Sequence, residues 1–187
     1  MLRRGSFAGF IAMLAGVLVM HVGVSGASRK SSRTACTGAN TVPVDESTRR
    51  QATVAVLCLV NRLRARYRMR PVRASFGLTV AALQHSSDMV VRRYFAHDGP
   101  GGGDTLGDRA RRTGYIQPHR SFAVSEAMAW GEGATPRSLV RSLRRSPEHR
   151  AILLDRDQRD VGIGLSVGAP VSGVSTSSAT LVLEFGH

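Results

Sequence analysis

The stretch FGLTVAALQHSSDMVVRR (76–93), running into YFAHDGPGGG (94–103), decides how the chain is organised. Leu78, Ala81, Ala82, His85 and Met89 recur at three- and four-residue steps, so the spacing predicts an amphipathic helix over Phe76 to Arg93. Four glycines and Pro100 then rule out regular structure from Gly99 to Gly103. His97 stands at the mouth of that loop, where a packed helix hands over to irregular chain.

Outward from this stretch, Val56, Leu59, Val60, Leu63 and Tyr67 form a second apolar stripe. It predicts a helix from about Ser47 to Met69, ended by Pro71, with Arg49, Arg50, Arg62, Arg64, Arg66 and Arg70 on its wet faces. Downstream, Thr105 to Arg112 reads as a short helix stopped at Gly114. Phe122 to Trp130 alternates Glu126, Met128 and Trp130 against Ser125, Ala127 and Ala129, which is strand-like. Thr135-Pro136 and Ser146-Pro147 each supply an N-cap followed by proline at the first helical position, and they open two further helices. Val161, Ile163, Leu165 and Val167 alternate with Gly162, Gly164, Ser166 and Gly168 in a strand. A small, polar loop from Ala169 to Ser178 leads to a last strand over Thr180 to Phe185. Helices around a mostly antiparallel sheet make a layered α/β domain rather than a doubly wound one.

The N-terminus has the order of a secretory signal: basic Arg3 and Arg4, an apolar run from Phe7 to Met20, then small residues to Ala27. Residues 1–27 are therefore expected to be a signal peptide. The rival, an uncleaved anchor, needs roughly 20 apolar residues and this run is shorter. Ser- and Thr-rich residues 28–46 read as a flexible arm, and 47–187 as one domain. The expected location is extracellular. There an even count of two cysteines, Cys36 and Cys58, predicts a disulfide.

The formal net charge is +13, carried almost wholly by arginine. The charges are spread along the chain, with no zinc-finger spacing and no aromatic-rich sheet signature, so no nucleic-acid partner is expected. A membrane contact is expected only if the signal segment stays uncleaved. Three residues could carry chemistry: His97, Glu126 within an apolar strand, and His149 in the helix opened by Ser146-Pro147. A glutamate is costly to bury alone, and histidines can serve it as hydrogen-bond donors or share a metal with it.

These segments, taken in order, resemble the CAP superfamily of cysteine-rich secretory proteins, antigen 5 and pathogenesis-related 1 proteins, and their bacterial SCP-like relatives. The resemblance rests on Leu59-Val60-Asn61-Arg62, on Leu78 to Met89 with Tyr94-Phe95-Ala96-His97, and on Thr105-x-x-Asp108-Arg109-Ala110 through Gly114-Tyr115. It continues through Ser125-Glu126-Ala127, Ser146-Pro147-Glu148-His149-Arg150, Val161-Gly162-Ile163-Gly164 and Glu184-Phe185-Gly186. It departs at Ser125 and Ala127, where relatives carry Gly and Asn around the glutamate, at Ile152 in place of Asn, and at Leu143 in place of Trp.

The resemblance implies a three-layer α-β-α sandwich with a mostly antiparallel central sheet, and a cleft faced by His97, Glu126 and His149. A further acidic member would fall on Asp98 or Asp104. His97 and His149 are the metal ligands it implies, for a divalent ion such as zinc. It implies a secreted, non-enzymatic binding module for a lipid, cell-wall or protein ligand. Two alternatives stand beside that reading: a metal-dependent hydrolase or protease with Glu126 as general base, and a structural surface-interaction protein in which the His-Glu-His cluster ties layers together.

Overall fold

The computed structural model describes residues 35–119, 121–174 and 177–187. The expected signal segment and its cleavage point lie outside the described residues, as does the arm up to Thr34. In order come α1 (Glu46–Arg66), β1 (Arg73–Ala74), α2 (Phe76–Arg92), a 3-10 turn (Pro100–Gly102), α3 (Leu106–Arg112), β2 (Val124–Glu132), α4 (Pro136–Arg145), α5 (Pro147–Leu153), β3 (Asp160–Val167) and β4 (Ser178–Gly186).

Local sequence sets most of these boundaries. Asp45 and Thr48 close a capping box at α1, Thr105 and Asp108 another at α3, and Thr135 and Ser138 a third at α4. Ser146 Oγ caps α5, with Pro147 at its first position. Arg93, at φ 58°, takes the left-handed conformation that stops α2. α1 ends at Arg66, earlier than the apolar stripe predicts. Its C-cap Tyr67 is exposed, under the Arg150 guanidinium, and is not part of the core. Arg64 also departs from expectation. It is fully buried, donating to the carbonyls of Arg70, Leu153, Asp155 and Gln158 at 2.9 to 3.4 Å. Those carbonyls end helices and turns and have no ladder partner, so a guanidinium with five donors suits them.

The sheet order is β1-β3-β4-β2. β4 pairs antiparallel with both β2 and β3, and the two-residue β1 pairs parallel with β3, so the sheet is mixed. Its two faces follow the alternation of the strands. Val161, Ile163, Leu165, Leu181, Leu183 and Phe185 join Val56, Val60, Leu139, Leu143 and Leu153, which puts α1, α4 and α5 on one face. Met128 and Val182 meet Ala82 and Met89 of α2, and Leu78 meets Ala110 of α3, on the other. This is a three-layer α-β-α sandwich.

On the second face the helix comes unusually close. A Cβ at Gly162 would stand 2.1 Å from the backbone of Leu78, and one at Gly164 would stand 2.0 Å from the Ala82 carbonyl. Ser166 Oγ and Ser86 Oγ share a 2.9 Å hydrogen bond, and Gly168 abuts Val90. Every second residue from Gly162 to Gly168 thus meets every fourth residue of α2. The glycines are needed because α2 lies on the strand backbone itself.

Cys36 and Cys58 form a disulfide that holds the segment before α1 against that helix, with Cys36 and Ala39 buried beside Ala55. Closing a loop of this size stabilises the fold by roughly 3 kcal/mol in the chain-entropy account.

Gly164→Ala is expected to destabilise the domain by about 3 kcal/mol or to abolish folding, since neither backbone can give way. Gly103→Ala, with no atom near the added carbon, should stay within about 0.5 kcal/mol of the parent. Urea unfolding of the two variants measures the contrast.

Candidate functional site

β2 and β4 set Glu126 and Glu184 directly opposite each other, and both side chains are buried. Two carboxylates facing across a sheet repel, and burial removes the water that would screen them. Arg109, from α3, sits between them. Its Nη2 donates to Glu126 Oε2 at 2.6 Å and its Nε to Glu184 Oε1 at 3.0 Å. Its Nη1 donates to the carbonyls of His97 and Asp104, at 3.1 and 2.6 Å. One buried guanidinium therefore joins both strands to both ends of the glycine-rich loop.

Loop and helix α2 are held by two further contacts. His85 Nε2 donates to the Ala96 carbonyl at 3.0 Å, and the Tyr94 hydroxyl to Asp88 at 2.6 Å. His85 lies within the core, and burial pushes its pKa down, so it is a neutral packed ring. These contacts deliver His97 to the sheet. Its Nδ1 meets Glu126 Oε1 at 2.7 Å. The carboxylate can only accept, so Nδ1 carries the hydrogen. The bond to Glu126 raises the His97 pKa. The rest of the ring is open, with the side chain 59% exposed, and Nε2 lies on the ring's far side from Glu126.

His149 is half-buried on α5, with its backbone N–H on Ser146 Oγ. Its ring makes no hydrogen bond to His97 or Glu126. Burial lowers its pKa, and the nearby charge on His97 lowers it further, so the two rings are electrostatic neighbours. The structure thus joins His97 to Glu126 directly, with His149 within electrostatic range of His97 and bonded to neither.

The acid that joins Glu126 is Glu184. Asp98 is exposed and acts on His97 only through its charge. Asp104 gives the network its carbonyl and turns its carboxylate to Arg112, 2.6 Å away. Reading the sequence for His97, Glu126 and His149 leaves out Arg109 and Glu184. The signal was present: a glutamate inside each of two apolar strands requires a cation, and Arg109 lies in the segment from Thr105 to Tyr115 that follows the loop.

Two carboxylates against one guanidinium leave an excess negative charge. Burial pushes Glu184 up to about 8, against an ordinary 4.5. At neutral pH it holds a proton, and Arg109 balances Glu126. As a zinc site the donor set is short. Two imidazoles fall below the three protein ligands of a catalytic zinc, and among the described residues no three His, Cys, Asp or Glu stand together as a metal set.

The fold has known counterparts. The family model of the cysteine-rich secretory proteins, CAP, matches residues 57–182. An extracellular protein containing an SCP domain from Bacillus anthracis shares the fold at a TM-score of 0.59 and 23% identity, over 76% of this chain and 44% of that one. This chain therefore spans less than half the length of that protein. An outer surface protein from Borrelia burgdorferi shares it at 0.57 and 18%, over 70% of this chain and 88% of that one. No curated protein matches the chain.

Because the folded chain keeps a proton on Glu184 that an unfolded glutamate gives up near 4.5, this residue costs stability as pH rises from about 4.5 through about 8. Glu184→Gln should remove that dependence, so its stability gain over the parent grows across the window and levels off above it. Glu126→Gln should cost about 2 kcal/mol, by removing a charge-assisted bond to Arg109 while Glu184 becomes the acid that Arg109 balances, and should return the His97 pKa towards 6.5. Urea unfolding from pH 4.5 to 9, with NMR titration of His97, reads both.

Proposed function

This chain belongs to the cysteine-rich secretory protein family, CAP, and from that premise we propose that it is exported behind residues 1–27 and works outside the cytoplasm as a non-enzymatic binding domain. Its ligand would be a lipid, a cell-wall fragment or a protein, met at the surface where His97 and His149 lie together. Export is supported by the signal-like N-terminus and by the disulfide, which persists in oxidising compartments.

One observation carries the non-enzymatic reading: both oxygens of Glu126 are already engaged. Oε1 takes the His97 hydrogen bond and Oε2 the Arg109 ion pair. A general base needs a free oxygen within reach of the proton it removes. Glu126 instead fixes the ring of His97 in place. These contacts support a presenting surface, in which the network below would hold the loop and the imidazole edges above would meet the ligand.

A structural role for the same network is favoured by its burial and by the four segments that Arg109 joins. The two roles occupy different depths. Glu126, Arg109 and Glu184 serve the fold, whereas His97 and His149 lie nearer the surface.

The test separates them. The exported protein is offered lipid extracts, peptidoglycan fragments and zinc in turn, with His97→Ala/His149→Ala as the comparison. The expected outcome is binding of one organic class, at least about ten-fold weaker in the double variant, with a melting temperature within a few degrees of the parent. Stoichiometric zinc uptake that raises the melting temperature, and is lost in the double variant, would favour a metal-dependent hydrolase instead.

A further inference from the structure

A second site stands on the opposite face of the sheet from Glu126 and Glu184, in a groove of about 250 Å³ between α1 and α4. α1 lines it with Leu59, Arg62, Leu63 and Arg66, and α4 with Arg137, Val140, Arg141 and Arg144. Each set has the spacing of one helix stripe: a first residue, then those three, four and seven positions on. The apolar members form the floor, with Leu63 and Val140 buried. Five guanidiniums line the walls, and no carboxylate is among the lining residues. None of the five forms an ion pair among the described residues, and every one of the thirteen acidic residues in the sequence is described.

Facing rows of like charge are unfavourable between packed helices, and solvent screening only lessens the cost. The groove is nonetheless built with care. The segment pinned by the Cys36–Cys58 disulfide reaches across to α4, where the Ala39 carbonyl takes the Arg137 N–H at 2.9 Å and Asn40 Oδ1 takes Arg137 Nε at 2.7 Å. Arg62 lies against the disulfide sulfur of Cys36 at 3.9 Å. Two of the five side chains are therefore held from behind, and their remaining donors are spare.

We propose that this groove binds a phosphate-bearing polyanion, an extracellular phosphodiester or polyphosphate chain, through Arg62, Arg66, Arg137, Arg141 and Arg144. Guanidinium forks match phosphate oxygens two at a time, and converging forks favour phosphate over an isolated carboxylate. The volume equals roughly eight waters' share of liquid, which admits one or two phosphate groups. A longer chain would run along the groove. A membrane surface is the poorer occupant. Membrane-seated faces carry exposed apolar side chains to insert, and the large exposed ones, such as Phe76, Phe95 and Phe122, are not among the groove residues. This site is independent of the ligand surface at His97 and His149, and either can fail alone.

The test titrates sodium tripolyphosphate into the oxidised exported protein by calorimetry, at about 50 and about 200 mM salt. Vesicles of phosphatidylglycerol form a second arm. Saturable binding to one site is expected, weaker at the higher salt. The variant Arg62→Gln/Arg141→Gln/Arg144→Gln should bind at least about ten-fold more weakly and, without ligand, melt no lower than the parent. Arg68→Gln/Arg73→Gln/Arg156→Gln removes three exposed charges outside the groove and should bind like the parent. The proposal is overturned by an absence of saturation, by equal loss in both triple variants, or by binding to vesicles with none to tripolyphosphate.

Discussion

The ion pair that the rest of this domain depends on is the one Arg109 makes with two glutamates at once. Antiparallel pairing sets Glu126 and Glu184 opposite each other in a dry layer, an arrangement that would oppose the sheet if the acids stood alone. The guanidinium turns the conflict into a joint. It holds two strands through their side chains and two loop ends through their carbonyls, so α3, the sheet and the His97 loop are fixed by one group. The position of His97 follows from that joint. So does the protonated state of Glu184, since one cation balances only one carboxylate in the interior.

The two helical layers serve different ends. α2 rests on glycines of β3 and fixes where the chain leaves for the His97 loop. α1 and α4 meet over a conventional apolar floor, and they keep their arginines at its rim. The disulfide belongs to this second layer. By tying Cys36 to α1 it places Ala39 and Asn40 where they can hold the first turn of α4. The oxidised state of the protein is thus linked to the shape of a surface some distance along the chain from either cysteine.

The fold was largely legible in the sequence, because its signals are local. The cap-plus-proline pairs at Thr135 and Ser146, the stripe of α2 and the alternation of β3 each give an element directly. β1 was not legible. Two residues show no period, and Arg73 and Ala74 are strand only because β3 lies beside them. The burial of Arg64 is not legible for a related reason. Its neighbours Arg62 and Arg66 are solvated or at the rim, and nothing near it in sequence shows that carbonyls from residues 153 to 158 converge on it. At the site, residue types gave His97, Glu126 and His149. A glutamate in an apolar strand calls for a cation, but that Arg109 supplies it, and serves Glu184 as well, follows only from the register that sets the two acids opposite each other.

The seat of α2 on β3 sets a limit of its own. Four helix residues advance about 6.0 Å and two strand residues about 6.6 Å. The pairings of Gly162 with Leu78, Gly164 with Ala82, Ser166 with Ser86 and Gly168 with Val90 therefore work as a vernier, slipping by roughly 0.6 Å at each step. Over three steps the slip approaches 2 Å, about half of one residue's advance along the strand. Such a contact terminates itself. Lengthening both elements would not extend it, because the next pair would fall out of phase. α2 ends at Arg92 and β3 at Val167, close to the fourth of these pairings.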